Sequence, residues 1–317
     1  MIFHREKTSP TAEPSCSNSA DKKRPASLKY VALTPACNEE RYIEGTIQSM
    51  AAQTMLPQQW IIVDDGSTDG TPHIIERYSN KLSWLKSVAM PAHARRSFAA
   101  KAHCIKAAVQ SIDSKDFELI ACVDADVTFG GDFFETLIKK FANDPELGVA
   151  GTPFWENGRH SHSRFGTNFD DPPGQCQVFR KACFDDVGGY PPVVHGGEDT
   201  LATTFARMQG WKTKTFTEIC FQHHRATNAE GRKMWSMFFH LGLRDGIFRN
   251  HPLWELLRIG RQMTLPPYLV RGGAYGCGYI RGMLGARCEY VSAEVIRYRR
   301  GEQLARLKKM LYGEPKH

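Results

Sequence analysis

The sequence predicts an α/β fold, a mostly parallel sheet flanked by helices, followed by a basic helical extension. Three observations carry this expectation. Short apolar runs of strand length alternate with stretches of helical periodicity between residues 30 and 141. Each run ends in a loop rich in Pro, Asn, Asp or Gly. The run Leu119-Ile120-Ala121-Cys122-Val123 ends directly in Asp124-Ala125-Asp126, an acidic pair where such sheets bind ligands.

Residues 1–27 are rich in Ser, Pro, Lys and Asp with almost no apolar periodicity, so they read as a disordered leader. Their charged start has no apolar stretch behind it, and no signal peptide is expected. The first strand is Tyr30-Val31-Ala32-Leu33-Thr34, leaving through the loop Pro35-Ala36-Cys37-Asn38-Glu39-Glu40. Ile43, Ile47, Met50 and Ala51 recur at helical spacing. Trp60-Ile61-Ile62-Val63 is a second strand, ending in Asp64-Asp65-Gly66-Ser67-Thr68-Asp69-Gly70. Thr71-Pro72 then predicts an N-cap and first-turn proline for a helix carrying Ile74, Ile75 and Tyr78. A third strand falls at 85–89 and a third helix at 99–112. After the acidic pair, Asp132 and Glu135 form a capping-box pattern ahead of Phe134, Leu137, Ile138 and Phe141.

The second half predicts a strand at 175–180, a turn at Gly188-Gly189-Tyr190-Pro191-Pro192, and a helix with Leu201, Phe205 and Met208 on one face. That helix starts at Gly196-Gly197-Glu198-Asp199 and stops at Gly210. A strand near residues 211–216 precedes Cys220-Phe221-Gln222-His223-His224-Arg225.

The pattern brings three loops, at Pro35, Asp64-Asp65 and Asp124-Asp126, to one sheet edge. Two carboxylates two residues apart on extended chain share a face about 7 Å apart, which suits a hard divalent cation carrying a diphosphate. Taken alone, the pair reads as two solvated turn aspartates. Asp199 sits at a helix N-terminus, where the dipole stabilises a carboxylate meant to accept a proton, although an ordinary capping role has the same signature. Adjacent His223 and His224 on extended chain point to opposite sides, so at most one faces a metal there.

Composition narrows the class. The nine cysteines of the 317 residues form no Cys-x-x-Cys pair and mostly lie in apolar segments. A zinc site or disulfide framework is therefore not expected, and a reducing cytoplasm fits. The net charge of +7 is uneven, since residues 225–317 hold 17 Lys/Arg against 7 Asp/Glu. Such a tail suits a polyanionic surface, nucleic acid or an anionic membrane.

The stretches Pro35-Ala36-Cys37-Asn38-Glu39-Glu40, Val63-Asp64-Asp65-Gly66-Ser67-Thr68-Asp69-Gly70-Thr71, Lys101-Ala102-His103, Val123-Asp124-Ala125-Asp126, Gly188-Gly189-Tyr190 and Gly197-Glu198-Asp199 occur in this order within residues 28–225. Together they resemble the motifs of the family 2 glycosyltransferases, nucleotide-sugar-dependent enzymes of GT-A fold. The resemblance implies nucleoside contacts from Pro35, Ala36, Glu39, Asp64 and Asp65, and Lys101 near the base or diphosphate. It implies Asp124 and Asp126 as ribose and metal contacts, with Asp126 the direct ligand of Mg²⁺ or Mn²⁺ and one of His223 and His224 completing the site. Asp199, beside Glu198 in the catalytic pair, is implied as the base of an inverting displacement from a UDP- or GDP-linked donor. Related bacterial enzymes assemble exopolysaccharide or cell-surface glycan on polyprenyl-linked acceptors at the cytoplasmic face.

Two departures matter. Residues 153–174 match no family motif, and His160 and His162 there are assigned only to an acceptor-side loop. The Gln-x-x-Arg-Trp run of processive synthases is missing after Asp199, so single addition is expected. In the extension (226–317), residues 265–286 are the most apolar, yet Arg271, Arg281, two prolines and six glycines make a poor spanning helix. Peripheral attachment to the inner face of the plasma membrane and packing on the catalytic domain (28–225) are both consistent with it. Gly276-Cys277-Gly278 is no dinucleotide fingerprint. Nucleic acid is not an expected partner of such an enzyme. Alternative functions are a non-catalytic glycan- or anionic-lipid-binding module on the same fold, and a nucleotidyltransferase, for which no Gly-rich Arg-containing loop is seen near Pro35.

Overall fold

The computed structural model describes residues 28–91, 99–161, 169–225, 234–285 and 287–312. The expected leader (1–27) and His162 lie outside the described residues. Four strands of the main sheet are mutually parallel: β1 (Tyr30–Ala36), β2 (Gln59–Asp64), β3 (Leu85–Ala89) and β4 (Leu119–Val123). Helices α1 (Ile43–Ala51), α2 (Thr71–Ser79) and α3 (Ala99–Gln110) connect them as expected. Period-2 alternation sorts the strand side chains between two cores. Tyr30, Ala32, Trp60 and Ile62 pack with α1 on one face. Val31, Leu33, Ile61 and Val63 meet α3 on the other. Each fully buried Ile or Val contributes roughly 1.5–3 kcal/mol.

Beyond β4 a two-residue strand β5 (Val127–Thr128) and α4 (Phe133–Asn143) lead to β6 (Leu147–Gly151), which periodicity did not reveal. Two of its five residues are glycines because neighbours fill the space. A Cβ on Gly148 would lie 2.6 Å from Trp211 Cβ, and one on Gly151 2.9 Å from the Cys176 carbonyl. The expected capping box does not form. Asp132 makes no side-chain cap, and Glu135 instead accepts from Thr54 Oγ1 at 2.7 Å and pairs with Lys139. At α2, Gly70 takes the N-cap position and Thr71 the first helical one, its hydroxyl accepting from the Glu39 N–H at 2.7 Å.

The short strands β7 (Phe154–Glu156) and β8 (Arg159–His160) precede β9 (Cys176–Arg180), which enters the main sheet antiparallel to both β4 and β6. Helices α5 (Lys181–Val187) and α6 (Glu198–Met208) and strand β10 (Lys212–Thr215) follow, giving the order β10-β6-β9-β4-β1-β2-β3. Strand β11 (Phe221–His223) joins β5, β7 and β8 in a separate four-stranded sheet.

The C-terminal helices are α7 (Met234–Ile247), α8 (Pro252–Met263), α9 (Val270–Leu284) and α10 (Ala293–Tyr312). Glycines bring α7 and α9 together backbone to backbone. Gly242 and Gly246 face the Tyr275 and Tyr279 carbonyls, and Gly278 and Gly282 face those of Phe239 and Leu243. This is the role of Gly278 and Gly282 among the glycines in residues 265–286, whereas Gly272 faces Ile259 and Met263 of α8. Helix α10 packs on α6 through Arg299 to Thr204 Oγ1 (3.1 Å) and Arg207 to Glu302 (2.7 Å). No helix among the described residues is long and apolar enough to cross a membrane.

A methyl group at Gly242 would collide with the Tyr275 carbonyl, so Gly242→Ala should cost roughly 1–3 kcal/mol by forcing the helices apart. Thermal denaturation should show Tm falling by about 2–4 °C per kcal/mol. Gly260, with open space around it, is the contrast: Gly260→Ala should hold or raise Tm.

Candidate active site

The loops at the carboxyl ends of β1 and β2 are stitched together by their own polar groups. Asn38, at φ 56°, receives the Thr68 N–H on Oδ1 (2.8 Å) and donates its own N–H to Ser67 Oγ (2.9 Å). Glu40 accepts from the Gly70 N–H at 2.7 Å. Asp65 donates its N–H to the Ala36 carbonyl at 2.8 Å, so Pro35, Ala36, Asp64 and Asp65 share one patch of the sheet edge. Asp64 and Asp65 are both buried.

Asp124-Ala125-Asp126 forms a turn between β4 and β5 rather than continuing the strand. The strand-alternation argument for a shared face therefore does not apply, and each aspartate takes a different cation. Asp124 Oδ1 accepts from Lys101 Nζ at 2.6 Å, and the same ammonium donates to the Gly174 carbonyl at 2.8 Å. Burial opposes the charge on Lys101, but Asp124, Glu198 and Asp199 outweigh it and hold the ammonium above its ordinary pKa. Burial likewise raises the Asp124 carboxyl despite Lys101.

Asp126 belongs to the second sheet's side of the site. Its Oδ2 lies 3.4 Å from His223 Nε2 and 3.7 Å from Arg225 Nε. The other ring nitrogen of His223, Nδ1, is 3.0 Å from Glu156 Oε2. Burial disfavours the imidazolium, yet Asp126 and Glu156 together raise its pKa. Arg225 also pairs with Glu39 and lies over the Tyr42 ring, which ties the expected nucleoside loop to the end of β11. His224 turns the other way, with Nε2 2.8 Å from Thr128 Oγ1 and its ring stacked on Tyr42.

Asp126 Oδ1 is buried with no hydrogen-bond partner among the described residues. A carboxylate oxygen without a partner, next to an imidazole whose far nitrogen is oriented by a carboxylate, fits a divalent cation. Among the described residues no three His, Cys, Asp or Glu side chains converge as a self-sufficient metal cage. Oxygens from a bound diphosphate would have to complete the coordination.

Asp199 enters from α6, whose N-cap Gly197 has φ 91° and packs against Phe248 and Arg244 of the C-terminal helices. Its Oδ1 accepts from the Thr200 N–H at 2.8 Å, and its Oδ2 faces Gly174, where any side chain would collide. Glu198 Oε2 is buried without a partner among the described residues. Burial, and then the Asp199 charge, push the Glu198 carboxyl up to about 7.

Sequence reading missed Gly174, Glu156, Arg225 and Arg244 as parts of this site. Glu156 and Gly174 lie in the stretch without motif, and Arg244 reaches Gly197 from a helix 47 residues further along the chain. His160 stacks edge-on against Trp155 on the β7–β8 hairpin.

Glu198 generates a pH test of stability. Between its ordinary value of 4.5 and about 7, the folded chain keeps a proton here that the unfolded chain releases. This contribution to stability is complete below the ordinary value and is lost as pH rises to about 7. Glu198→Gln should flatten that decline, read as Tm measured from pH 4 to pH 8 at the same intervals for both chains.

The chain is similar to known proteins in sequence and in fold. Over 155 residues the chain is 25% identical to the putative glycosyltransferase EpsH of Bacillus subtilis, covering 48% of this chain and 42% of that protein. It is 28% identical over 128 residues to a poly-beta-1,6-N-acetyl-D-glucosamine synthase of Staphylococcus aureus, covering 40% of this chain and 29% of that one. The chain thus spans less than half the length of these curated relatives. In fold it is similar to a mannosyltransferase of Pyrobaculum calidifontis solved with GDP-Man and Mn²⁺, with a TM-score of 0.53, 15% identity, and coverage of 91% and 88% of the two chains. Residues 32–220, from the middle of β1 to the residue before β11, match the family described as Glycosyl transferase family 2, so this chain belongs to that family and is a transferase.

Proposed function

We propose that the chain transfers one sugar per encounter from a UDP- or GDP-linked donor to an acceptor hydroxyl, with inversion and with a divalent metal, in cell-surface glycan assembly. The domain holding the reaction is residues 28–225, with 226–317 as its helical extension. One observation supports the reading most: the carboxylates of Asp124, Glu198 and Asp199 gather around Lys101, and the Asp126 charge acts on Asp124 beside them, with Asp126 Oδ1 left without a partner among the described residues. Such a cluster is costly unless a cationic or proton-transferring task requires it.

In this reading Pro35, Ala36, Glu39, Asp64 and Asp65 line the nucleoside. Lys101 and Asp124 sit beside the ribose and diphosphate. Asp126 and His223 would hold Mg²⁺ or Mn²⁺, which when bound neutralises charge on the departing nucleoside diphosphate. Asp199 accepts the proton of the acceptor hydroxyl, whose oxygen attacks the anomeric carbon as the bond to the diphosphate oxygen breaks with its electron pair. Burial and the Asp199 charge push the neighbouring Glu198 carboxyl up to about 7. The basic extension supports work at the cytoplasmic face of an anionic membrane, on a glycan or polyprenyl-linked acceptor.

A thermal-shift series of nucleoside diphosphates and nucleotide sugars, with and without Mn²⁺, identifies the donor by mass-action stabilisation. Asp199→Asn should keep donor binding and lose roughly 10²–10⁴-fold in transfer rate. Retention of full transfer would remove Asp199 as the base. Asp126→Ala should abolish the Mn²⁺-dependent part of donor binding measured by calorimetry.

A further inference from the structure

Helix α8 buries charged groups together with Trp254 and Ile259 on its inner face and leaves leucines on its outer one. Trp254 and Glu255 are turned inward, 8% and 0% exposed. The Arg258 guanidinium also points inside, 2.6 Å from Asp245 Oδ2 and 3.1 Å from Glu255 Oε1. Its outward stripe at i, i+3 and i+4 is Leu253, Leu256 and Leu257, which are 60%, 65% and 38% exposed. Surface helices ordinarily bury their apolar stripe and expose their charges. The connection that follows continues the apolar surface with Tyr268, Leu269 and Val270, all exposed. Leu269 holds a φ of 62°, a left-handed backbone that costs on the order of 1 kcal/mol in a residue with a side chain.

We propose that the outward face of α8, with the connection at residues 268–270, is the surface on which this protein lies against an anionic bilayer. Charge selects that occupant. The C-terminal 93 residues hold 17 Lys/Arg against 7 Asp/Glu, and several of those acids are spent inside the protein. Asp245 and Glu255 are buried around Arg258, and Glu302 pairs with Arg207. Arg261 of the same helix, four residues beyond Leu257, is exposed, and Arg281, Arg287 and Arg297 are exposed elsewhere in the extension, as are Glu289 and Glu294. A leucine stripe continued by an arginine on a net basic extension matches the headgroup boundary of an anionic leaflet, where leucines enter the acyl region and guanidiniums meet phosphates. A second copy of the same positive surface would be repelled.

The position of this face relates it to the candidate site. Asp245 of α7 binds Arg258 of α8, and the next residue back, Arg244, packs on Gly197 beside Glu198 and Asp199. Seating α8 on lipid would thus hold the catalytic edge one helix layer from the membrane. This consequence rests on the function proposed above, whereas the docking itself does not.

Vesicle sedimentation tests the docking without any activity measurement. The wild-type chain should bind phosphatidylcholine vesicles containing about 30% phosphatidylglycerol, bind pure phosphatidylcholine weakly, and release as salt is raised. Replacing Leu253, Leu256 and Leu257 together by Asp should weaken binding at least a hundredfold, with circular dichroism and Tm unchanged because the sites are exposed. Leu56→Asp, at an exposed leucine between α1 and β2, should bind as the wild type does. A Leu256→Trp chain should show blue-shifted emission quenched by lipids brominated on the acyl chain. Wild-type failure to bind anionic vesicles, or undiminished binding by the triple variant, overturns the proposal. So does light scattering in which the triple variant converts a dimer to a monomer, since a second copy would then be the occupant. Vesicle binding as expected, together with no turnover of any nucleotide sugar, would sustain the docking face and reject the transfer reaction.

Discussion

Concentrating carboxylates at one sheet edge is the constraint on which the rest of this structure depends. Like charges about 4 Å apart repel by roughly 4 kcal/mol near a protein surface, so such a cluster persists only with compensation. Lys101 supplies part of it, bonded to Asp124 and to the Gly174 carbonyl. His223 and Arg225 supply more around Asp126, and Glu198 responds by holding its proton. Two carboxylate oxygens, on Asp126 and Glu198, remain buried without partners among the described residues.

The antiparallel entry of β9 makes the cluster possible. In a wholly parallel sheet, the segment before each strand lies at the edge opposite the ligand. Because β9 runs against β4, with Val123 opposite Cys176, residues 172–175 arrive beside Asp124. The Asp124 N–H donates to the Gln175 carbonyl at 2.9 Å, and Gly174 fits between Lys101 and Asp199 because it has no side chain. The small sheet does the same for the other aspartate. Pairing of β11 with β5 and β7 carries His223 and Glu156 to Asp126.

The C-terminal helices follow a different logic. Their interior holds a hydrogen-bonded group of Asp245, Glu255, Arg258 and Tyr275 among apolar clusters, and α7 meets α9 through glycine, backbone against backbone. Leucines are left facing outward on α8. Polar groups inside make the helix packing specific, since each must find its partner or remain a buried charge.

The sequence by itself determined the alternation of strands and helices through residue 143, because period-2 and period-3.6 patterns are local and each loop announced itself with Pro, Gly or Asp. It also placed acidic pairs at Asp64-Asp65, Asp124-Asp126 and Glu198-Asp199, and had the adjacent histidines pointing to opposite sides, as His223 toward Asp126 and His224 toward Thr128 do. It could not show α5, whose run is short, or β6, whose two glycines answer to Trp211 and Pro172 across the fold. Nor could it separate the two aspartates of the turn, since their partners come from residues 101, 174, 223 and 225. Tertiary structure alone decided those pairings, the proton on Glu198 and the outward face of α8, because each depends on which distant groups are buried together.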